Sequence, residues 1–277
     1  MKFSILAADI PLSSDFPFPL RGSFDSCARL AAELGYNGIE LQIRNPLDYD
    51  YKAVRKMLDR YDITASAVTT GMSYTFEGHS MSSRDPQVRS QTVERLKRQL
   101  DFAAELDSQI LIGFLRGRME PGESKEEFEE LLSDSMYKTL EYAEEIGGTV
   151  CFEQINKNDG DVYNTTAETL RFIRKFNDPR LVYNADTYHM ATEETDVTEA
   201  IKESRGYLTL FHVSDPGRLL PDDKHFNFYE AAAALRAIDY EGWVSIECKP
   251  LPDGETVARH GIEYLRRVFV GRTANCV

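Results

Sequence analysis

Apolar and polar positions follow two rhythms along this chain. Short, β-rich apolar runs recur at residues 3–7, 38–43, 64–69, 109–114, 149–154, 181–186, 207–213 and 243–248. Between them lie amphipathic runs with helical spacing, starting near Ser23, Tyr49, Pro86, Ser124, Thr166, Val197, Asn227 and Thr256. The run from Pro86 shows the local logic. Asp85 can accept from the free N–H groups of a first turn, and Pro86 fits that turn. Val88, Leu96, Leu100 and Phe102 then follow at helical intervals. Gly35 and Gly147 stand where helices should end. Eight strands, each followed by a helix, predict an α/β fold of the (β/α)₈ barrel type. No Pro/Gly/Ser-rich linker interrupts the rhythm, so residues 1–277 read as one domain.

Composition acts mostly by exclusion. The hydrophobic share of 42% suits a globular chain. No apolar run is long enough to span a bilayer. The first apolar stretch soon meets Asp9 and Pro11, which argues against a signal peptide. A formal charge of −14 repels phosphate backbones, so nucleic acid is not an expected partner. Cys27, Cys151, Cys248 and Cys276 form no CxxC pair and read as reduced thiols of a cytoplasmic protein. Cys151 shares its side of the strand with Glu153. It reads as a small core residue beneath that side chain rather than a ligand.

The candidate chemistry sits in four strings near the ends of apolar runs. They are Cys151-Phe152-Glu153-Gln154, Asn184-Ala185-Asp186-Thr187, Leu210-Phe211-His212-Val213 and Ser245-Ile246-Glu247-Cys248. Each puts one metal-capable side chain where a buried strand should stop. Their separations of 33, 26 and 35 positions each hold about one helix and one strand. Strand C-termini converge on one face of a parallel barrel, so the four should meet there. Three carboxylates and an imidazole form a hard donor set. It favours one divalent cation, Mn²⁺, Mg²⁺ or Co²⁺, over a thiolate zinc site. A single glutamate at a strand end is more often a solvated or ion-paired rim residue. Four such residues stand on the last four predicted strands, and it is the strings flanking them that reverse that reading.

Long connections at 9–22, 70–85, 116–123 and 214–226 follow strands and should border the same face. Phe16, Phe18, Tyr74 and Phe76 can wall a pocket there, or simply pack their loops. Arg116 and Arg118 can grip a carboxylate with a guanidinium fork. A surface ion pair with Glu120 or Glu123 is an equal reading. Glu40, late in the second strand, can orient the site, although a structural salt bridge is the better reading.

The flanks of these strings carry a family likeness. Asp186-Thr187-Tyr188-His189-Met190, His212-Val213-Ser214-Asp215 with Arg218, and Ser245-Ile246-Glu247-Cys248 resemble the xylose-isomerase-like barrel superfamily, and within it the D-tagatose 3-epimerase group. The likeness covers nearly the whole chain. Ile112-Gly113-Phe114-Leu115-Arg116-Gly117-Arg118 and Cys248-Lys249-Pro250-Leu251-Pro252 are similar to the 5-keto-L-gluconate epimerase subgroup. The resemblance implies that Glu153, Asp186, His212 and Glu247 ligate one divalent cation, Mn²⁺ foremost. It implies that Glu153 and Glu247 are the catalytic carboxylates. It implies that His189, Arg218 and Asp159 hold substrate oxygens, and that the protein is a homo-oligomer. The chain departs from the group's pattern at His79, Gln154, Gly217, Lys224 and Asn227. These departures bear on the substrate more than on the metal.

Epimerising a carbon beside a ketone removes its proton and returns one to the other face. A divalent cation at the ketone oxygen stabilises the enediolate formed between those steps. Inversion needs a base on each face, one ionised and one protonated at the start. An aldose–ketose isomerisation needs only one face. A second glutamate therefore tilts the expectation toward an epimerase of an unphosphorylated keto sugar or keto sugar acid. No Gly-rich helix start offers a phosphate cradle. The rivals are an isomerase of the hydroxypyruvate isomerase type, a dehydratase of a cyclic polyol ketone, and a catalytically silent sugar-binding barrel. The superfamily's trinuclear zinc endonucleases would need many more histidines than the five in this chain.

Overall fold

In the computed structural model, which describes residues 1–270, parallel strands close into a barrel. The strands are β1 (Lys2–Ala8), β2 (Leu20–Arg21), β3 (Gly38–Gln42), β4 (Thr64–Thr69), β5 (Gln109–Ile112), β6 (Thr149–Glu153), β7 (Leu181–Asp186), β8 (Leu208–Val213) and β9 (Trp243–Ile246). Their order is β2-β1-β3-β4-β5-β6-β7-β8-β9, and β1 also pairs with β9. Eight strands thus complete the ring, while the two-residue β2 adds to the end of β1. Ten α-helices among the described residues surround them. They are α1 (Phe24–Leu34), α2 (Tyr51–Arg60), α3 (Gly71–Glu77), α4 (Pro86–Glu105), α5 (Lys125–Ile146), α6 (Thr166–Phe176), α7 (Thr187–Glu193), α8 (Val197–Glu203), α9 (Phe228–Ala237) and α10 (Gly254–Leu265).

The predicted (β/α)₈ alternation is therefore present, with two short helices added. α3 lies within the connection read as a loop at 70–85, and α7 begins directly after Asp186. Seven residues each are too few to show a helical stripe. β5 stops at Ile112 because Phe114–Arg116 winds into a 3₁₀ turn. β9 stops at Ile246, so Glu247 is the first residue beyond it. Cap chemistry fixes the long helices. Asp85 accepts from Gln87 N at 2.8 Å, and Gly35 and Gly147 close α1 and α5 at φ 84° and 70°. That left-handed conformation strains residues carrying a Cβ.

Strand alternation separates two layers. Ile39, Val68, Ile112, Phe152, Tyr183 and Phe211 belong to the main core under the helices. Ala67, Leu111, Cys151 and Leu210 form a small apolar plug inside the barrel. The inward positions above it, toward the strand C-termini, carry polar side chains. Register slips between Ile39 and Glu40, and again between Tyr183 and Asn184. Bulges re-aim side chains, and each of these falls immediately before a buried polar residue, Glu40 or Asn184. Cys27, Cys151 and Cys248 are buried free thiols; Cys276 lies outside the described residues. Among the described residues, no helix is long and apolar enough to cross a membrane.

Candidate metal centre

Glu153, Asp186, His212 and Glu247 meet at the C-terminal mouth of the barrel. All four are buried, and one ligand atom of each lies within 4.8 Å of the others. His212 Nδ1 is 2.9 Å from Glu247 Oε2, 3.4 Å from Glu153 Oε1 and 4.0 Å from Asp186 Oδ2. Strand pairing produces this convergence. Asp186 and His212 are register partners on β7 and β8, as are Glu153 and Asn184 on β6 and β7.

Several neighbours fix the four in place. Glu40 is fully buried, and both its oxygens lie 3.1 Å from His212 Nε2. The ring proton on Nε2 therefore faces Glu40, and Nδ1 is aimed at the cluster. Metal-ligating histidines are commonly oriented this way. Glu40 thus is a buried ion-pair partner, and through that pair it also orients the site. Asn184, two residues before Asp186 and on the same side, donates Nδ2–H to Glu153 Oε1 at 3.0 Å. Gly113 is required beside Glu153, because a Cβ there would lie 2.4 Å from Glu153 Oε2. Asp186 Oδ1 accepts from Tyr188 N at 2.8 Å, which caps α7 and turns Oδ2 toward the cluster.

His189 and Arg218 border the same space. Asn156 N donates to His189 Nδ1 at 3.1 Å, so the neutral ring carries its proton on Nε2. That nitrogen faces the cluster, 3.8 Å from Asp186 Oδ2. Burial drives the His189 pKa down to about 3, which keeps the ring neutral. Arg218 donates to Asp186 Oδ2 at 2.6 Å and to Glu247 Oε2 at 2.9 Å. Its guanidinium also lies 4.1 Å over the Tyr188 ring. Arg218 holds φ at 58°, a strained conformation that its surroundings must enforce.

The two glutamates hold their protons differently. Burial, with the charges of Glu247 and Asp186, pushes the Glu153 carboxyl up to about 7, against the pull of His212. Burial also opposes ionisation of Glu247, but Arg218 and His212 outweigh it and hold that carboxyl at about 2. His212 loses by burial and gains more from Glu40 and Glu247, so its pKa rises well above normal. A divalent cation fits these residues. Four carboxylates against the Arg218 and Arg116 guanidiniums leave a formal charge of −2 with His212 neutral. The donors are hard oxygens and one imidazole lone pair. Loading a cation must displace the His212 Nδ1 proton and the Glu153 proton. Mn²⁺ affinity should therefore weaken with falling pH throughout as the His212 proton is displaced, and more steeply below about 7 where Glu153 adds a second, by up to about tenfold per unit for each proton. Calorimetric Mn²⁺ titrations from about pH 5.5 to 8 check this, and a flat affinity would rule out protonated Glu153 and His212 in the metal-free site.

Two of the expected substrate-holding residues, Arg116 and Arg118, have protein partners in this structure. Arg116 is buried, with its guanidinium 4.1 Å over the Phe152 ring and bonded to the Gly113 and Glu153 carbonyls. Arg118 forms a two-bond pair with Asp161, at 2.8 and 3.2 Å, rather than with Glu120 or Glu123. Neither lines the cavity beside Glu153. Asp159 sits in the turn after β6 and acts electrostatically on Tyr188, at the rim of the site. Of the departures, His79 stands by Glu77, Asn227 caps α9, and Gly217 N donates to Asp215 Oδ1. These serve their loops rather than the cavity. Phe16, Phe18 and Phe114 do line it, as do Gln42 and Met72, which carry no signal in the sequence. A larger cavity of about 820 Å³ opens at the opposite end of the barrel, around Gln109 and Trp243. It contains no member of the carboxylate–histidine cluster, and barrel chemistry belongs to the strand C-termini.

A buried carboxylate–imidazole quartet at the mouth of a (β/α)₈ barrel makes a site able to hold one hard cation. The chain belongs to the xylose isomerase-like TIM barrel family, matched over residues 28–268. It is 26% identical over 219 residues to the L-ribulose 3-epimerase of Methylomonas sp. (strain DH-1), covering 78% of this chain and 75% of that one. It is 24% identical over 232 residues to the 3-dehydro-D-guloside 4-epimerase of Escherichia coli (strain K12), covering 79% and 84%. The D-psicose 3-epimerase of Clostridium cellulolyticum H10, solved with D-tagatose, matches with a TM-score of 0.83 at 21% identity, over 97% of this chain and 99% of that one. At that identity the likeness concerns the fold alone.

Proposed function

We propose that the chain is a divalent-metal-dependent epimerase of an unphosphorylated keto sugar, inverting a carbon beside the ketone. The observation that carries this reading is the glutamate pair. Glu153 and Glu247 converge on His212 from strands on different sides of the mouth, one carboxyl raised to about 7 and the other lowered to about 2. A bound cation, Mn²⁺ in this reading, would supply the positive centre opposite the charge that develops on the ketone oxygen. Glu247, ionised, suits removal of the carbon-bound proton. Glu153, the more readily protonated of the two, suits delivery to the opposite face once it carries a proton, and the reverse reaction exchanges the roles. His189 Nε2–H would donate to a substrate oxygen. Arg218, braced by Asp186, Glu247 and Tyr188, would hold another. Asp159 would accept from a hydroxyl at the rim. The names of the relatives, L-ribulose 3-epimerase and 3-dehydro-D-guloside 4-epimerase, support sugar epimerisation as the reaction class. Between the two forms open from the sequence, the ketose is favoured over the keto sugar acid, because Arg116 and Arg118 have protein partners.

The test is a panel of free ketoses, keto sugar acids and ketose phosphates, incubated with Mn²⁺ in ²H₂O. The expected product is the epimeric ketose, carrying deuterium at the inverted carbon. Phosphorylated ketoses should react more slowly, since Arg218, the cationic side chain in the cavity wall, is already paired with Asp186 and Glu247. An aldose labelled at its carbon 2 would replace the epimerase with an isomerase. A clear preference for a phosphate would overturn the substrate class.

A further inference from the structure

The mouth of the barrel has two unlike halves. Glu153, His189, Arg218 and Glu247 line one of them. Phe16, Phe18, Met72, Leu111 and Phe114 give the other an apolar wall. Gln42, Thr69 and Thr75 interrupt that wall, and Gln42 stands apart among them. Gln42 is the last residue of β3, in register with Ala8 of β1 and Thr69 of β4. It shares the inward parity of Glu40, one layer nearer the opening. Gln42 is only 5% exposed, it lines the cavity, and its Oε1 is buried with no hydrogen-bond partner. The other polar groups on this side already have partners. Thr69 Oγ1 donates to Leu41 O at 3.4 Å, and Thr75 Oγ1 donates to Gly71 O at 3.2 Å. Buried carboxamides in native proteins are nearly always paired, so an unpaired one in a cavity wall calls for a ligand.

We propose that Gln42 is the specificity-determining residue for the remote half of the substrate, its carboxamide hydrogen-bonding a hydroxyl on the carbon chain beyond the reacting carbons. The inference rests on the epimerase reading only for which end of the sugar reacts. A carboxamide offers both a donor and an acceptor, and a hydroxyl can answer both. A carboxylate or phosphate only accepts, which would leave Oε1 unpaired opposite a negative charge. The cationic partners such a group would want are engaged elsewhere, Arg116 with carbonyls and Arg118 with Asp161. A site built to hydrogen-bond a hydroxyl rejects the analogue lacking it, because its own buried polar group then goes unpaired. An apolar wall strengthens that rejection, since no water replaces the missing partner.

The experiment uses the full chain loaded with Mn²⁺. Binding of a ketohexose is compared by calorimetry with binding of its analogues lacking the hydroxyl at carbon 4, 5 or 6. Turnover of each is measured in parallel. In the wild type, one analogue should bind at least about tenfold more weakly than the parent. In Gln42→Met and Gln42→Leu, that gap should shrink to about twofold or less, because the parent has lost its partner and the analogue had none. The gap is a ratio taken on one preparation, so partial misfolding cannot imitate its loss. A gap that persists in both variants overturns the assignment, and so does a wild type that ignores all three deletions. A keto sugar acid that binds more tightly than the ketose through Gln42 overturns the hydroxyl as its target. A Gln42-dependent gap without any epimer formed sinks the epimerase reading and leaves this inference standing. Epimer formed with a gap indifferent to Gln42 does the opposite.

Discussion

Glu153→Gln and Glu247→Gln should each stop epimerisation while leaving the barrel folded. Glutamine keeps the size of the side chain but cannot take up a proton from carbon. Loss of a positioned acid or base lowers rates by about 10²- to 10⁴-fold, and the pair must act in sequence, so each loss is felt in full. The two variants should not be equivalent in ²H₂O. With Glu247 gone, Glu153 can still exchange the proton on its own face, and that face is presented by only one of the two epimers. With Glu153 gone, the other epimer should be the one that exchanges. Each variant should thus wash deuterium into one epimer without inverting it. Assays need saturating Mn²⁺, because an amide is also a poorer metal ligand. Near-normal epimerisation by either variant would falsify the two-base scheme and make a one-base isomerase the better account.

The barrel is legible in the sequence because its strands are buried on both faces. Each therefore reads as a dense apolar run, and each long helix carries its own stripe and caps. The quartet is legible for a related reason. One charged residue at the end of such a run has an ordinary structural reading, but four of them recur at the interval of one βα unit. What is not legible depends on partners far away in the chain. Glu40 is one more acid in an apolar strand until His212, 172 positions later, lies against it. Arg116 follows β5, where an exposed arginine would meet the substrate. The Phe152 ring and two carbonyls turn it back into the barrel wall, and nothing local announces that. Gln42 reads as an ordinary polar strand end. Only burial without a partner makes it stand out. The short helices α3 and α7 are set by caps and tertiary packing, below the length at which periodicity shows.

Asp186→Asn and His212→Ala should each strip the protein of metal. Losing a partner that merely orients a ligand weakens metal affinity by about 10- to 100-fold, so losing the ligand itself should exceed that range. Asp186→Asn is the cleaner variant, since its amide oxygen can still accept from Tyr188 N and hold the start of α7. His212→Ala leaves Glu40 buried without its partner, at about 3–5 kcal/mol of stability, so thermal melting must accompany it. Glu40→Gln supplies the graded comparison. Its amide retains an acceptor toward His212 Nε2 but loses the charge that favours the Nε2–H tautomer and the aim of Nδ1. Its Mn²⁺ affinity should fall within about 10- to 100-fold, and excess Mn²⁺ should restore occupancy. Elemental analysis and calorimetric titration of purified protein read these outcomes without reference to turnover. Unchanged metal content in both Asp186→Asn and His212→Ala would remove the quartet as the metal centre. Full affinity in Glu40→Gln would instead keep the centre and show that strand packing alone aims the His212 ring.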